Sequence, residues 1–434
     1  MDLSARRPEQ VFAELACHAA VLPARVIQAF IQARWLLFLA MLSFMLFRPP
    51  GSNFFPCDRI AFVLVCIAAA LHITTTGQPF SFLRPVTLPM AGLLLLSSCN
   101  LLHPCDSAES WSMFATRWLI PFTVYQLAAR IFPSARSRRA FEIFTLMVLA
   151  YLSLISIAFL VGAGWAIFPS YILDPGFGIH ADRARGPFLQ AVANGMALNL
   201  LFLIALNALV NRRLRMALAL PLLAAVPIAI VATMTRAVWL SFAGTAVLLG
   251  FSRYLPLRRV CAGFLIATLI CVGALFVFPQ QSIADRIQDR SPVEFRVAVY
   301  EAGLRMFGEK PLLGWGSDRM RNELARRISD FHQEDFYFHN TYLEVMVERG
   351  LLGLFLYAWM AIDLFSLART RLRLPWAGFP DLSFRAIWPL MLVVYFVNAS
   401  FVGMNYQFVN VLLFTVAGLL AAQNRVEQGA LRVH

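Results

Sequence analysis

A histidine followed at fixed spacing by two glycines is the part of this sequence best suited to acid–base chemistry. His339 and Asn340 are separated by nine residues from Gly350, and Gly353 follows three positions later. An imidazole with an ordinary pKa of about 6.5 can take the proton of an attacking hydroxyl or orient that hydroxyl. We expect Asn340 or Thr341 to cap a helix that begins here, and Gly350 and Gly353 to share one helical face that permits close packing. The alternative is an interfacial histidine beside an ordinary packing face.

Arginine side chains form the second candidate group, because a guanidinium can bind phosphate oxygens through two parallel hydrogen bonds. Arg236 lies at the rim of an apolar stretch, where a charge usually faces a polar cavity or a partner. A snorkelling interfacial side chain is the alternative. Arg296 lies in a polar segment, where pairing with acidic neighbours is the alternative. Weaker cationic candidates of the same kind are Arg183, Arg185, Arg286 and Arg290.

The composition excludes most classes of soluble protein. Of 434 residues, 59% are hydrophobic and 14% charged, and the mean hydropathy is +0.67. Soluble domains average about half apolar and about a quarter charged, so one water-soluble core cannot bury this excess. The formal charge of +13 comes almost entirely from arginine, since Lys310 is the only lysine. The arginines lie in short clusters between apolar runs, which favours a membrane protein with positive cytoplasmic loops over a nucleic-acid-binding protein.

Apolar stretches of about 17 to 25 residues predict an all-α polytopic membrane protein with about 12 transmembrane helices. The predicted segments are 32–47, 60–76, 86–102, 116–131, 141–168, 188–210, 216–234, 236–251, 259–278, 341–367, 386–402 and 405–422. Glu344, Glu348 and Arg349 place the first turns of the tenth segment at the membrane interface. The arginine clusters at 136–139, 212–215, 253–259 and 369–373 lie in alternate loops, so we expect those loops and both termini to be cytoplasmic.

The spans divide the chain into four regions. Residues 1–168 and 169–278 form the N-terminal and central helices, 279–340 forms one long outward loop, and 341–434 forms the C-terminal helices. The loop carries an amphipathic pattern from Val293 to Phe307, whose expected apolar face is Phe295, Val299, Leu304 and Phe307. A turn at 311–316 ends this helix, and a second short helix is predicted at 320–328.

Four elements together resemble the bacterial O-antigen ligase and O-antigen polymerase superfamily. They are the spacing from His339 and Asn340 to Gly350 and Gly353, the segment Thr-Arg-Ala-Val-Trp at 235–239, Arg296 with Tyr300, and Pro-Leu-Leu-Gly-Trp-Gly at 311–316. The resemblance spans about residues 180–360. Tyr300 departs from the tryptophan that the family usually carries at this position.

The resemblance implies a membrane glycosyltransferase in the bacterial inner membrane, acting at the periplasmic face. The donor would be a glycan on undecaprenyl pyrophosphate, with His339 as the catalytic base and Arg236, Arg296 and Arg290 binding the pyrophosphate. No metal or other cofactor is expected, because pyrophosphate is already a good leaving group and the chain has no Asp-x-Asp pair.

The acceptor stays open at this point. Transfer to lipid A–core by a ligase ranks first, transfer to a growing glycan by a polymerase second, and transfer to a protein hydroxyl is a third reading. A lipid-linked sugar transporter is the competing class, and the lack of an internal repeat counts against it. Cys57 and Cys105 lie in consecutive outward loops, where either a disulfide or two free thiols is consistent with the sequence.

Overall fold

The computed structural model describes residues 23–48, 56–77, 80–101, 108–251, 291–328, 337–369 and 378–431. Over these residues the chain is helical and contains no strand, so the all-α prediction is confirmed there. The helices are α1 (Pro23–Gln32), α2 (Arg34–Leu46), α3 (Cys57–Thr76), α4 (Thr87–Leu101), α5 (Ala108–Phe114), α6 (Ile120–Ile131), α7 (Ala135–Leu160), α8 (Ala191–Val210), α9 (Met216–Ala232), α10 (Arg236–Gly250), α11 (Ser291–Glu309), α12 (Ser317–Arg327), α13 (Thr341–Ser366), α14 (Phe384–Ala399) and α15 (Gln407–Leu431). One π turn, Ala115–Leu119, joins α5 to α6.

Five of these helices are long and apolar enough to cross a membrane, and the bent pair of α1 and α2 adds a sixth if it forms one span. The five are α3, α7, α8, α13 and α15, the last over Gln407–Arg425. Shorter apolar helices include α9, α10 and α14. Eleven of the twelve predicted segments coincide with a described helix, and 259–278 lies outside the described residues. The count of twelve crossings and the four domain boundaries stay predictions.

Helices α8 and α15 are the most deeply buried of the five, with 94% and 89% of their most apolar windows inside the protein. The surrounding helices instead expose large apolar side chains, such as Leu95, Met147, Leu154 and Ile362. A surface of this kind is stable against lipid and not against water. The arrangement is therefore a helical bundle with buried central helices and an apolar outer surface.

Polar contacts define the two ends of this bundle. At the first end, Arg213 donates from Nε to Glu142 Oε1 of α7 at 2.8 Å and also pairs with Asp381, just before α14. At the second end, Asn398 of α14 donates from Nδ2 to Ser241 Oγ of α10 at 2.9 Å. We call these the Arg213 end and the His339 end. The starts of α8, α10 and α13 and the last turn of α14 lie at the His339 end.

The predicted amphipathic helix exists as α11, but its buried face differs from the expectation. Phe295 and Val299 are buried as predicted, together with Ala302 and Met306, and Leu304 is 58% exposed. The buried positions follow a spacing of four, three and four residues, which keeps them on one stripe of a helix with 3.6 residues per turn. They pack with α12 and with residues around the start of α13 into a second, smaller hydrophobic cluster.

Candidate functional site at the His339 end

His339 lies two residues before the first residue of α13, Thr341, and has a left-handed backbone, with φ of +48°. Asn340 caps the helix, since its side-chain oxygen accepts hydrogen bonds from the backbone N–H groups of Tyr342 at 3.0 Å and Leu343 at 3.2 Å. Phe338, on the other side, is buried in the smaller hydrophobic cluster. The histidine is thus held between a buried anchor and a capped helix.

The surroundings of His339 favour a neutral imidazole. Burial lowers its pKa from the ordinary 6.5, the positive charge of Arg296 lowers it further, and the negative charge of Glu344 opposes both effects. Phe295 places its ring edge-on to the imidazole with 6.4 Å between the ring centroids. A neutral imidazole retains the lone pair that a general base needs.

Helix α11 brings Arg296 to the histidine. Arg296 is half-buried and follows the buried Phe295. One turn later, the Tyr300 hydroxyl donates to the carbonyl of Ser400 at 3.5 Å. The helix of the long loop therefore lies over the 400–406 turn that joins α14 to α15.

The 400–406 turn also fixes the start of α13. The Thr341 hydroxyl donates to the carbonyl of Val402 at 2.7 Å and accepts from the N–H of Met404 at 3.0 Å. Thr341 is therefore bonded to the 400–406 turn by its side chain, and the start of α13 is tied to the α14–α15 connection.

Arg236 begins α10 at the same end of the bundle. It is exposed, and Met234 just before it has a positive φ of 47°. Ser241, in the second turn of α10, accepts the hydrogen bond from Asn398, so the start of α10 lies beside the last turn of α14. The structure thus brings Arg296 next to His339 and places Arg236 at their end of the bundle. Arg290 and Arg286 lie outside the described residues.

The two glycines after His339 do not lie on one continuous helical face, which corrects the expectation from spacing. Gly350 is non-helical, with φ of 65° and ψ of −163°, and breaks α13 into two parts. A Cβ at Gly350 would lie 2.3 Å from the carbonyl carbon and oxygen of Leu312. A Cβ at Gly353 would lie 2.2 Å from Cβ of Arg349 across the break. Both positions therefore require glycine for close approach around a kink.

The 311–316 segment supplies the hydrogen bonds that the kink removes. An unbroken helix would bond Leu351 to Val347 and Leu352 to Glu348. Instead, the N–H groups of Leu351 and Leu352 donate to the carbonyls of Pro311 at 2.7 Å and Leu312 at 3.3 Å. The carbonyls of Val347 and Glu348 accept from the N–H groups of Trp315 at 3.0 Å and Gly316 at 2.9 Å. Two sequence motifs, 311–316 and the glycine pair, are thus one structural unit.

A buried ion network below the histidine was missed by the sequence analysis. Glu344, Glu348 and Arg349 are buried within the protein, and Arg117 of the π turn pairs with both glutamates. Arg117 could have indicated this network from the sequence, because it lies inside the predicted 116–131 span. A charge in such a segment usually has a functional or structural partner.

Arg185, a weaker cationic candidate, has a structural role. It is buried and donates from Nε to the carbonyl of Ile172 at 3.0 Å and from its terminal nitrogens to the carbonyls of Asp174 and Phe177. These bonds hold together the loop between α7 and α8. Among the described residues Cys57 has no disulfide partner, and Cys105 lies outside them, so a bond between the two stays a prediction. Within the described ranges, no cluster of three or more His, Cys, Asp or Glu side chains could hold a metal ion.

An all-helical bundle with several membrane-spanning helices and a histidine–arginine site under a loop helix defines a polytopic membrane protein with a candidate active site at one end. A sequence model described as O-antigen ligase matches residues 218–358, from α9 to the kinked helix α13. This match confirms the resemblance to the O-antigen ligase and polymerase superfamily, and it covers Arg236, Arg296, His339 and the glycine pair. A search of curated proteins gave no match.

Proposed function

We propose that this protein transfers a glycan from an undecaprenyl-pyrophosphate carrier to an acceptor at the periplasmic face of the inner membrane, in the manner of an O-antigen ligase. The family match implies membrane glycan transfer of the ligase or polymerase type. The observation that carries the proposal is the half-buried His339 beside Arg296, at the end of the bundle where Arg236 begins α10.

The proposed reaction is a displacement at the first sugar of the donor glycan. The acceptor hydroxyl oxygen forms a bond to the anomeric carbon, and the bond from that carbon to the pyrophosphate oxygen breaks, with its electron pair leaving on the carrier lipid. The hydroxyl proton passes to the imidazole of His339. Because burial and Arg296 lower the pKa of this imidazole, it is neutral and ready to accept the proton near pH 7.

Arg236, Arg296 and Arg290 are the proposed pyrophosphate-binding residues. Negative charge grows on the leaving group as the sugar–phosphate bond breaks, and guanidinium groups beside the pyrophosphate would stabilise that charge. Bound pyrophosphate also offsets the repulsion between Arg296 and a newly protonated His339. No metal or other cofactor enters this proposal.

The proposed orientation places the Arg213 end in the cytoplasm. Arg136, Arg138 and Arg139 lie in the first turns of α7, where Arg139 donates to the carbonyl of Arg213, and Arg212 lies in the loop between α8 and α9. Clusters of arginine of this kind favour the cytoplasmic side of a membrane. The His339 end would then face the periplasm, and the two chain termini the cytoplasm. This orientation is consistent with a donor that is used after it has crossed the membrane.

Transfer of labelled glycan by the purified protein in detergent tests the proposal. The assay uses undecaprenyl-pyrophosphate-linked glycan as donor and offers lipid A–core, a shorter lipid-linked glycan or a hydroxyl-bearing protein as acceptor. Product on lipid A–core supports the ligase, and product only on one of the other acceptors assigns the polymerase or protein-glycosylating activity instead. A transporter would form no product, since detergent leaves no membrane to cross.

A further inference from the structure

Arg117 joins the N-terminal half of the chain to the first turns of α13 through two glutamates. Its Nη2 lies 2.8 Å from Glu344 Oε2 and its Nη1 3.0 Å from Glu344 Oε1, which is a bidentate pair. Nη1 also lies 3.5 Å from Glu348 Oε2. All three side chains are buried, with Glu348 only 2% exposed. Two carboxylates one helical turn apart are therefore held by one guanidinium.

The pair belongs to a larger buried network. Arg349 donates from Nη2 to Glu348 Oε1 at 3.0 Å and stacks over the Trp118 ring, with its guanidinium carbon 4.7 Å from the ring centroid. Ser317, at the start of α12, donates to the same glutamate oxygen. The network of two arginines, two glutamates and Ser317 joins the π turn, α12 and α13.

The local backbone gives Arg117 its position. The residue lies in the π turn Ala115–Leu119 between two α-helices. A π turn inserts an extra residue into a helix and rotates the side chains around it, and such turns are frequent at functional sites. The first turn of α13 begins with a hydrogen bond from the N–H of Glu344 to the carbonyl of Asn340 at 2.9 Å. The clamped carboxylate is thus one turn from the residue that follows His339.

We propose that Arg117 is a positioning residue for the base: by clamping Glu344 and Glu348 it fixes the first turns of α13, and so holds His339 in line with the acceptor hydroxyl. The inference rests on the proposed function. A merely stabilising ion network would bring three helices together without affecting the geometry of the reacting atoms. A shift of about 1 Å in a catalytic group is enough to slow a reaction about a hundredfold.

The chain contains a matched control at the opposite end of the bundle. Arg213 also pairs with two carboxylates, Glu142 at 2.8 Å and Asp381, and these also join different helices. Substituting Arg117→Gln and Arg213→Gln therefore removes the same kind of contact at the two ends. Arg117→Gln leaves the buried Glu344 without its counter-charge, and Arg213→Gln leaves the half-buried Asp381 without one while Glu142 keeps its pair with Arg139. Both variants are therefore expected to lower thermal stability in detergent.

The experiment measures kcat, KM for the donor, the pH dependence of kcat/KM and the thermal unfolding midpoint of both variants. Arg117→Gln is expected to lower kcat about a hundredfold with little change in KM. Two charged groups act on His339, Arg296 from α11 and Glu344 from α13. Because the variant removes the positive charge that opposes Glu344, and Glu344 raises the pKa of His339, the acid limb of the pH profile is expected to move to higher pH. Arg213→Gln is expected to keep the kcat and the pH profile of the wild type.

The double variant Arg117→Gln/Glu344→Gln keeps the test decisive if the single variant does not fold, because it leaves no unpaired charge at this pair. It is expected to fold and still to lose kcat, since the charged clamp is gone. A folded double variant with the kcat of the wild type overturns the positioning role. Equal losses of kcat in Arg117→Gln and Arg213→Gln do the same, because the effect is then general destabilisation. No transfer by the wild type overturns the proposed function itself, and this inference with it.

Discussion

His339 has two features that are unusual for a histidine with only a packing role. Its backbone lies in the left-handed region, which costs a residue with a side chain of order 1 kcal/mol. Its imidazole is also desolvated and faces an arginine. Strain of this kind persists where the surrounding structure determines it, and here the anchor of Phe338 and the cap of Asn340 do so.

The role of His339 as base predicts the effect of removing it. Both His339→Ala and His339→Asn are expected to lower glycan transfer by about two to four orders of magnitude. Asparagine tolerates a positive φ better than alanine, so the Asn variant separates loss of the base from backbone strain. Transfer rates and unfolding midpoints of both variants provide the test. Near-normal transfer by a folded His339→Asn variant would contradict the assignment.

Arg296 has two separable effects, one through its charge and one through its shape. In the proposed mechanism neutral His339 is the active form, so activity is expected to fall as the pH drops through its pKa, which is lowered from the ordinary 6.5. Arg296→Gln removes the positive charge, raises that pKa and moves the acid limb to higher pH. Arg296→Lys keeps the positive charge, so the acid limb of the pH profile is expected to stay where it is. It loses the planar pair of N–H groups of the guanidinium, so KM for the lipid-linked glycan is expected to rise.

Arg236→Lys is the matched variant for this comparison, since it alters only the proposed grip on pyrophosphate. It is expected to raise KM for the donor without moving the acid limb. Rate profiles between pH 5 and 8 would measure both effects. Wild-type KM values in both lysine variants would mean that neither arginine holds the pyrophosphate through its planar fork.

Among the helices, α11 shows which structural features the apolar pattern of a sequence predicts and which it does not. The apolar spacing predicted the helix, its approximate bounds and the burial of Phe295 and Val299. It misplaced Leu304, because Ala302 and Met306 complete the buried stripe and a small residue carries little weight in a hydropathy pattern. The kink at Gly350 was not predictable from local sequence, since the groups that open the helix belong to the 311–316 segment.

The kink makes Gly350 sensitive to the smallest side chain. Gly350→Ala adds a Cβ at a positive φ and against the Leu312 carbonyl, and should cost about 2 kcal/mol or more in stability. Gly244→Ala in α10 is the control, because its Cβ would meet no atom within 4 Å. Unfolding midpoints in detergent compare the two. Equal midpoints would mean that the break in α13 is not retained in the folded protein.

At the scale of the whole molecule, the proposed function requires the His339 end and the Arg213 end to face opposite sides of the membrane. Trp165, 92% exposed in the loop after α7, lies near the His339 end, and Arg136 is exposed at the Arg213 end. In a variant freed of its native cysteines, Trp165→Cys is expected to react with a membrane-impermeant maleimide in cells with a permeable outer membrane. Arg136→Cys is expected to react only after the inner membrane is opened. The reverse pattern would invert the orientation.

The composition indicated a helical membrane protein, and the alternation of arginine clusters gave its proposed orientation. The pairing of Arg117 with Glu344 lay beyond such reasoning, because 227 positions separate them and each side chain alone fits an interfacial position. Long-range partners of buried charges depend on which helices are neighbours. A pattern within one helix contains no information on that choice.

The backbone groups of α13 around Gly350 can complete their hydrogen bonds in two ways, with the 311–316 segment or with each other. With the segment in place, four bonds cross between the segment and the helix around Gly350. Without it, the two halves of α13 can close on each other and form the Val347–Leu351 and Glu348–Leu352 bonds of a regular helix. Deletion of the segment would therefore straighten α13 rather than unfold it. The direction in which its first turns point, and with them His339, is thus determined by a piece of chain outside the helix.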